Sequence, residues 1–209
     1  MSLNYGVGGS GGQDFKPVPA GTHFAVCTGV IDVGLQPGSA MYPKPKRILF
    51  LRFEIPAERV EWQDKDGNTQ EGPAIIYERF TASMNGKALL RAALESWYGM
   101  SFTDEQAAKV DVSKVAGRPA TIAVVHNSSG GKTYANVSSI GPIPKGVNPP
   151  QAEGTILVYH EGKRDQFDQI PKFLQEKIRS QLQPQSEDSV DEQRAAEFVD
   201  DNLDDIPFN

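Results

Sequence analysis

The sequence predicts a mainly β protein: a five-stranded barrel with a helix between the third and fourth strands, followed by an acidic tail without a core. Three observations carry this. From residue 21 to about 143, short runs of β-branched and aromatic residues alternate with Gly, Pro, Asn and Asp. One segment, 86–98, has helical rather than strand spacing. Beyond Pro142 the composition shifts to Pro, Gly, Gln and acidic residues.

The first strand is expected over 22–33, apolar at Phe24, Val26 and Val30, with Gly29 placed where a bulge would curl the strand. The second, 46–55, sets Ile48, Leu49, Phe50, Leu51, Phe53 and Ile55 among Lys46, Arg47, Arg52 and Glu54. A wide loop follows, with Asp64-Lys65-Asp66-Gly67-Asn68 as its turn signal. The third strand, 74–81, mixes Ile75, Ile76, Tyr77, Arg79 and Phe80. In the helix, Leu90, Leu94 and Trp97 fall at i, i+4 and i+7, and Gly99 ends it. Thr103-Asp104-Glu105-Gln106 has capping-box form and starts a second short helix. The fourth strand is 120–125 and the fifth 133–140, joined by a turn at Asn127-Ser128-Ser129-Gly130-Gly131. Three strands, a helix and two strands is the order of an OB fold.

The 209 residues divide accordingly. Residues 1–14 are a flexible Gly-rich arm, and 15–146 form the barrel domain. Residues 147–186 are a linker, into which a short edge strand at 155–159 and a helix around 171–182 both fit. Residues 187–209, with nine acids and one Arg, read as a disordered, solvated tail.

A net charge of −6 speaks against nucleic-acid binding only as an average. Residues 1–146 hold 15 Lys and Arg against 13 Asp and Glu, net +2, whereas 147–209 hold 6 against 14, net −8. The barrel itself is mildly basic. No run approaches the roughly 18 apolar residues of a membrane span, and no signal-peptide layout opens the chain, so a cytoplasmic protein is expected. Cys27, the single cysteine, lies in an apolar run and reads as a buried thiol.

The enzymatic motifs fail on context. Gly6, Gly8 and Gly11 spell GxGxxG, but neither a strand precedes them nor a helix follows. Gly131-Lys132-Thr133 ends like a phosphate-binding loop, yet the position of its first glycine is His126 and a strand follows. Asp64, Asp66 and Asn68 have the spacing of a calcium loop without its glycine order or closing Glu, so a plain turn is expected. His23, His126 and His160 stand singly. The expectation is a protein that is not an enzyme and uses no metal or cofactor.

Single-stranded DNA binding needs cations along the backbone and aromatic faces for bases, each stack contributing about 1–3 kcal/mol. The sequence supplies both: Tyr42, Lys44, Lys46, Arg47 and Arg52 around the second strand, Tyr77, Arg79 and Phe80 on the third, and Lys132 and Tyr134 on the last hairpin. In an OB barrel these positions fall on the ligand face. By strand alternation Phe50, Phe53 and Phe80 also qualify as core, and Trp62 either stacks on a base or packs under the loop.

The chain closes with Asp204-Asp205-Ile206-Pro207-Phe208-Asn209. This tip resembles that of bacterial single-stranded DNA-binding proteins, which ends in Asp-Ile-Pro-Phe. Lys132-Thr133-Tyr134-Ala135-Asn136-Val137, the following Ile140-Gly141-Pro142 and Leu94-Glu95-Ser96-Trp97 look like the OB domain of phage-encoded members of that family. The resemblance implies protection of single-stranded DNA in replication and recombination. It also implies recruitment of partner enzymes in the bacterial host cell through Asp204, Asp205, Ile206, Pro207 and Phe208, the apolar pair entering a pocket and the acids meeting a basic rim. Asn209 departs from the pattern, since Phe is terminal in the bacterial tip. OB proteins reach useful site size as homo-oligomers or as cooperative filaments, and the sequence leaves both open. The rival reading is a barrel that binds protein or RNA and keeps the tail as a docking peptide.

Overall fold

The computed structural model describes residues 17–64 and 66–182. The expected arm over 1–14 and the tail over 187–209, with Asp204, Asp205, Ile206, Pro207 and Phe208, lie outside the described residues.

The elements run β1 (Gly21–Gln36), β2 (Lys46–Gln63), β3 (Thr69–Thr81), α1 (Leu89–Tyr98), α2 (Asp104–Ala108), a 3-10 turn (Val112–Val115), β4 (Pro119–Ser129), β5 (Lys132–Gly141), β6 (Leu157–Tyr159), a second 3-10 turn (Phe167–Gln169) and α3 (Lys172–Arg179). Five strands form one curled antiparallel sheet, a half-barrel, in the order β3-β2-β1-β4-β5, and β6 joins β1 in parallel.

The curl begins in β1. Its register against β2 steps between Cys27↔Phe53 and Gly29↔Arg52, leaving Thr28 as the extra residue of a bulge. Before the bulge, Gly21 to Val26 pair with β4; after it, Gly29 to Ile31 pair with β6. A Cβ on Gly29 would stand 2.8 Å from the Cβ of Arg52, so the crossing requires glycine.

Two cores lie on opposite faces of the sheet. Inside the curl, Cys27, Leu51, Phe53, Ile76 and Ile122 meet Leu90, Leu94 and Trp97 of α1. Trp97 is fully buried, its ring 5.7 Å from that of Phe53 and its indole N–H donating to Pro119 O at 2.9 Å. Gly99 ends α1 in the left-handed region at φ 67°, and Thr103 and Gln106 close the capping box on α2. On the outer face, Ile31, Val33, Ile48 and Phe50 are covered by Tyr159, Ile170, Leu174 and Ile178. The unbroken apolar run Ile48-Leu49-Phe50-Leu51 therefore belongs to a strand buried on both faces.

Residues 153–182 thus pack on the sheet. Buried Glu54 accepts the Glu153 N–H at 2.5 Å and the Gly154 N–H at 3.1 Å, and Arg59 grips the Glu153 carboxylate with bonds of 2.7 and 2.9 Å. Gln36 ties the strand to α3 by donating to Lys177 O at 3.0 Å.

Two connections differ from the sequence expectation. The wide loop after the second strand is instead a β2–β3 hairpin, whose ladder resumes from Arg59↔Pro73 to Gln63↔Thr69 after a register shift. Only its end turns, where Asp64 Oδ1 accepts the N–H groups of Asp66 and Asn68. The β4–β5 turn is narrower than 127–131: pairing persists to Ser129↔Lys132, and Gly130 and Gly131, at φ 59° and 76°, make the two-residue turn alone. In both places polar residues sit in cross-strand ladders, which hydropathy does not register. No helix among the described residues is long and apolar enough to cross a membrane.

Candidate nucleic-acid interface

The connection from β1 to β2 presents the first cluster. Ser39 and Tyr42 exchange backbone hydrogen bonds at 2.8 and 3.0 Å in a tight turn. Tyr42 is 62 % exposed, and the Lys46 ammonium lies 5.0 Å from its ring centre. Lys44 is exposed beside them. Arg47 has a different neighbourhood: its Nε donates to Asp32 Oδ2 at 2.7 Å and its Nη2 approaches Glu161 at 3.5 Å. Those carboxylates, Asp32 first, hold its guanidinium above the ordinary arginine value, and they leave little of its charge for a phosphate.

Alternation places Arg52, Tyr77 and Arg79 together on the outer face, with Arg52↔Tyr77 and Phe50↔Arg79 as cross-strand partners. Arg52 donates to Thr28 Oγ1 at 3.1 Å and to Thr155 O at 3.2 Å. Burial pushes the Tyr77 hydroxyl above the usual tyrosine value, opposed by the neighbouring Arg52 guanidinium, which hydrogen-bonds to it. The Tyr77 ring meets Phe173 of α3 edge-on at 5.5 Å. These two residues anchor the C-terminal segment, whereas Arg79 stays exposed. Phe80, opposite Leu49, points into the barrel and is 7 % exposed, which leaves it no face for a base.

The third cluster is the β4–β5 hairpin. The pairs Val125↔Asn136, Asn127↔Tyr134 and Ser129↔Lys132 alternate with the inward pair Val124↔Val137, so Lys132, Tyr134 and Asn136 line the outer face of β5 in order. Lys132 is exposed, Tyr134 half-buried and Asn136 buried.

A side chain joins the second and third clusters. Glu78 of β3 accepts the N–H of Val137 on β5, across the seam where the curled sheet returns toward its first edge. Burial raises the Glu78 carboxyl from 4.5 to about 7, against the pull of that hydrogen bond and of the Arg79 N–H. The residues flanking the contact, Tyr77 and Arg79 on one side and Asn136 on the other, face outward. Arg79 on β3 and Tyr134 and Lys132 on β5 thus stand on the outer face of the two strands that meet at the seam.

The far end of the β2–β3 hairpin has the opposite character. Trp62 is 38 % exposed and packs its ring over Gly72, where a Cβ would come within 2.9 Å. The same hairpin carries Glu58, Glu61, Asp64, Asp66 and Glu71, while Arg59 is paired with Glu71 and Glu153. Trp62 thus lies apart from the cationic clusters.

Sequence reasoning passed over Glu78 and Asn136. A lone Glu and a lone Asn carry no local signal, and only the β3–β5 approach brings Glu78 to the strand that holds Asn136. Arg118 was passed over as well; its guanidinium lies 4.1 Å over the Tyr98 ring and 5.9 Å from Trp97. In comparisons with known proteins, no family model and no curated sequence matches this chain.

Proposed function

We propose that this is a non-enzymatic single-stranded DNA-binding protein of the phage type, an OB barrel that coats DNA with little sequence preference. Its acidic tip recruits replication and recombination partners in the bacterial host. The strand order β3-β2-β1-β4-β5, with β5 returning to β3, supports reading the half-barrel as an OB fold. The observation that carries the function is the outer face along the β3–β5 seam. Arg79 and Lys132 supply positive charge to its two sides and Tyr134 a ring, while Tyr42, Lys44 and Lys46 extend the surface from the β1–β2 connection. The C-terminal segment, held by Arg52 and Tyr77, covers the neighbouring face of β1 and β2, so the strand's path runs along β3 and β5.

The test is fluorescence-anisotropy binding of the full chain, and of a version ending at Leu182, to labelled oligo-dT and to matched duplex across a salt series. The shortened version keeps the packed segment, since a cut at residue 146 would uncover Ile31, Val33, Ile48 and Phe50. Salt-sensitive preference for oligo-dT by both versions is the expected result. Absence of any preference for single strands at low salt would overturn the proposal and favour a protein-binding barrel.

A further inference from the structure

Asn136 is 7 % exposed, and neither its amide nitrogen nor its amide oxygen has a hydrogen-bond partner among the described residues. A buried donor and acceptor left unsatisfied are a standing cost that an apolar residue of similar size would not carry. The side chain sits on the outer face of β5, two residues from Tyr134 and four from Lys132 along the same face, and next to the Glu78–Val137 contact.

Resting on the single-stranded DNA reading, we infer that Asn136 is a base-edge subsite: its amide takes the Watson–Crick edge of an unpaired nucleobase stacked on Tyr134, whose phosphate meets Lys132. Spacing supports this. Residues two apart on a strand are separated by about 6.8 Å, and a stacked base stands about 3.4 Å from the ring below it. A base on the Asn136 side of the Tyr134 ring therefore has its inward edge over the amide. Every base offers a donor beside an acceptor on that edge, and an amide that presents one of each pairs with it in one of its two orientations. The base displaces the side chains that shield the amide, and the two hydrogen bonds unmet in the unbound chain favour that displacement. Because a base in duplex has already committed the same edge to its complement, the contact selects single strands over duplex without selecting among sequences.

The experiment compares oligo-dT with an oligomer of N3-methylthymidine, which keeps phosphates and stacking but blocks the edge. The full chain should bind the methylated oligomer about thirtyfold more weakly per occupied site, the equivalent of two ordinary hydrogen bonds. Asn136→Leu should bind the two oligomers alike, while Lys132→Ala should weaken both and keep their ratio. Equal binding of the two oligomers by the full chain would overturn the inference and leave the broader reading standing. No binding of oligo-dT at all would remove both. Should Asn136→Leu not fold, the side-chain amide resonance of Asn136 in the unaltered protein decides: it shifts on addition of oligo-dT and not of the methylated oligomer, or the inference fails.

Discussion

Replacing Glu78 with Gln should make the protein more stable above neutral pH and leave it unchanged in mild acid. The carboxyl is raised from 4.5 to about 7 by burial at the β3–β5 seam, where it accepts the Val137 N–H. A carboxyl whose folded value lies above its unfolded one binds more protons in the folded chain between those two values. Its stabilising contribution is fully present below about pH 4.5 and is lost as the pH rises through about 7. At about 1.4 kcal/mol per pH unit, the loss reaches about 3 kcal/mol as an upper bound. Glu78→Gln keeps a carbonyl acceptor for Val137 without a charge to desolvate. Urea unfolding followed through the fluorescence of buried Trp97, at intervals from pH 4 to pH 8, yields the difference between variant and parent. That difference should start near zero and grow in favour of the variant to between about 1 and 3 kcal/mol at pH 8. A difference that stays flat with pH, or a variant less stable than the parent at pH 8, would refute the assignment to the seam of a half-buried carboxyl with no ion pair among the described residues.

Leu174→Ala removes a fully buried side chain from the outer core and should cost about 2–5 kcal/mol in chemical denaturation, a loss that a loosely attached linker would not show. Gly29→Ala forces a Cβ to within 2.8 Å of the Arg52 Cβ at the bulge; thermal unfolding should register a loss of about 1–3 kcal/mol, and no loss would mean that β1 and β2 cross elsewhere. Lys132→Ala should lower the slope of log K for oligo-dT against log salt by about 0.7, the value of one phosphate contact on a single strand, with unaltered stability because Lys132 is exposed at the hairpin turn.

The sequence by itself determined the element types in their order, because each rests on local chemistry. Alternating apolar residues mark β1, β4 and β5, the Leu90, Leu94 and Trp97 spacing marks α1, and Thr103 to Gln106 spell the cap of α2. The spacing of Leu174 and Ile178 likewise marks α3. Tertiary structure alone decided what each face meets. Tyr77 and Arg52 read as ligand-facing cations and rings, yet α3 and Thr155 lie on them, since an amphipathic helix buries its apolar face wherever the fold exposes a matching one. Phe80 and Arg79 are adjacent in sequence and turn to opposite sides of the sheet. Glu78 and Val137, 59 positions apart in the chain, meet because the bulge at Thr28 and Gly29 curls the sheet until β5 returns to β3. Burial, pKa and unmet hydrogen bonds are properties of that encounter, and a residue's identity does not contain them until the chain has closed on itself.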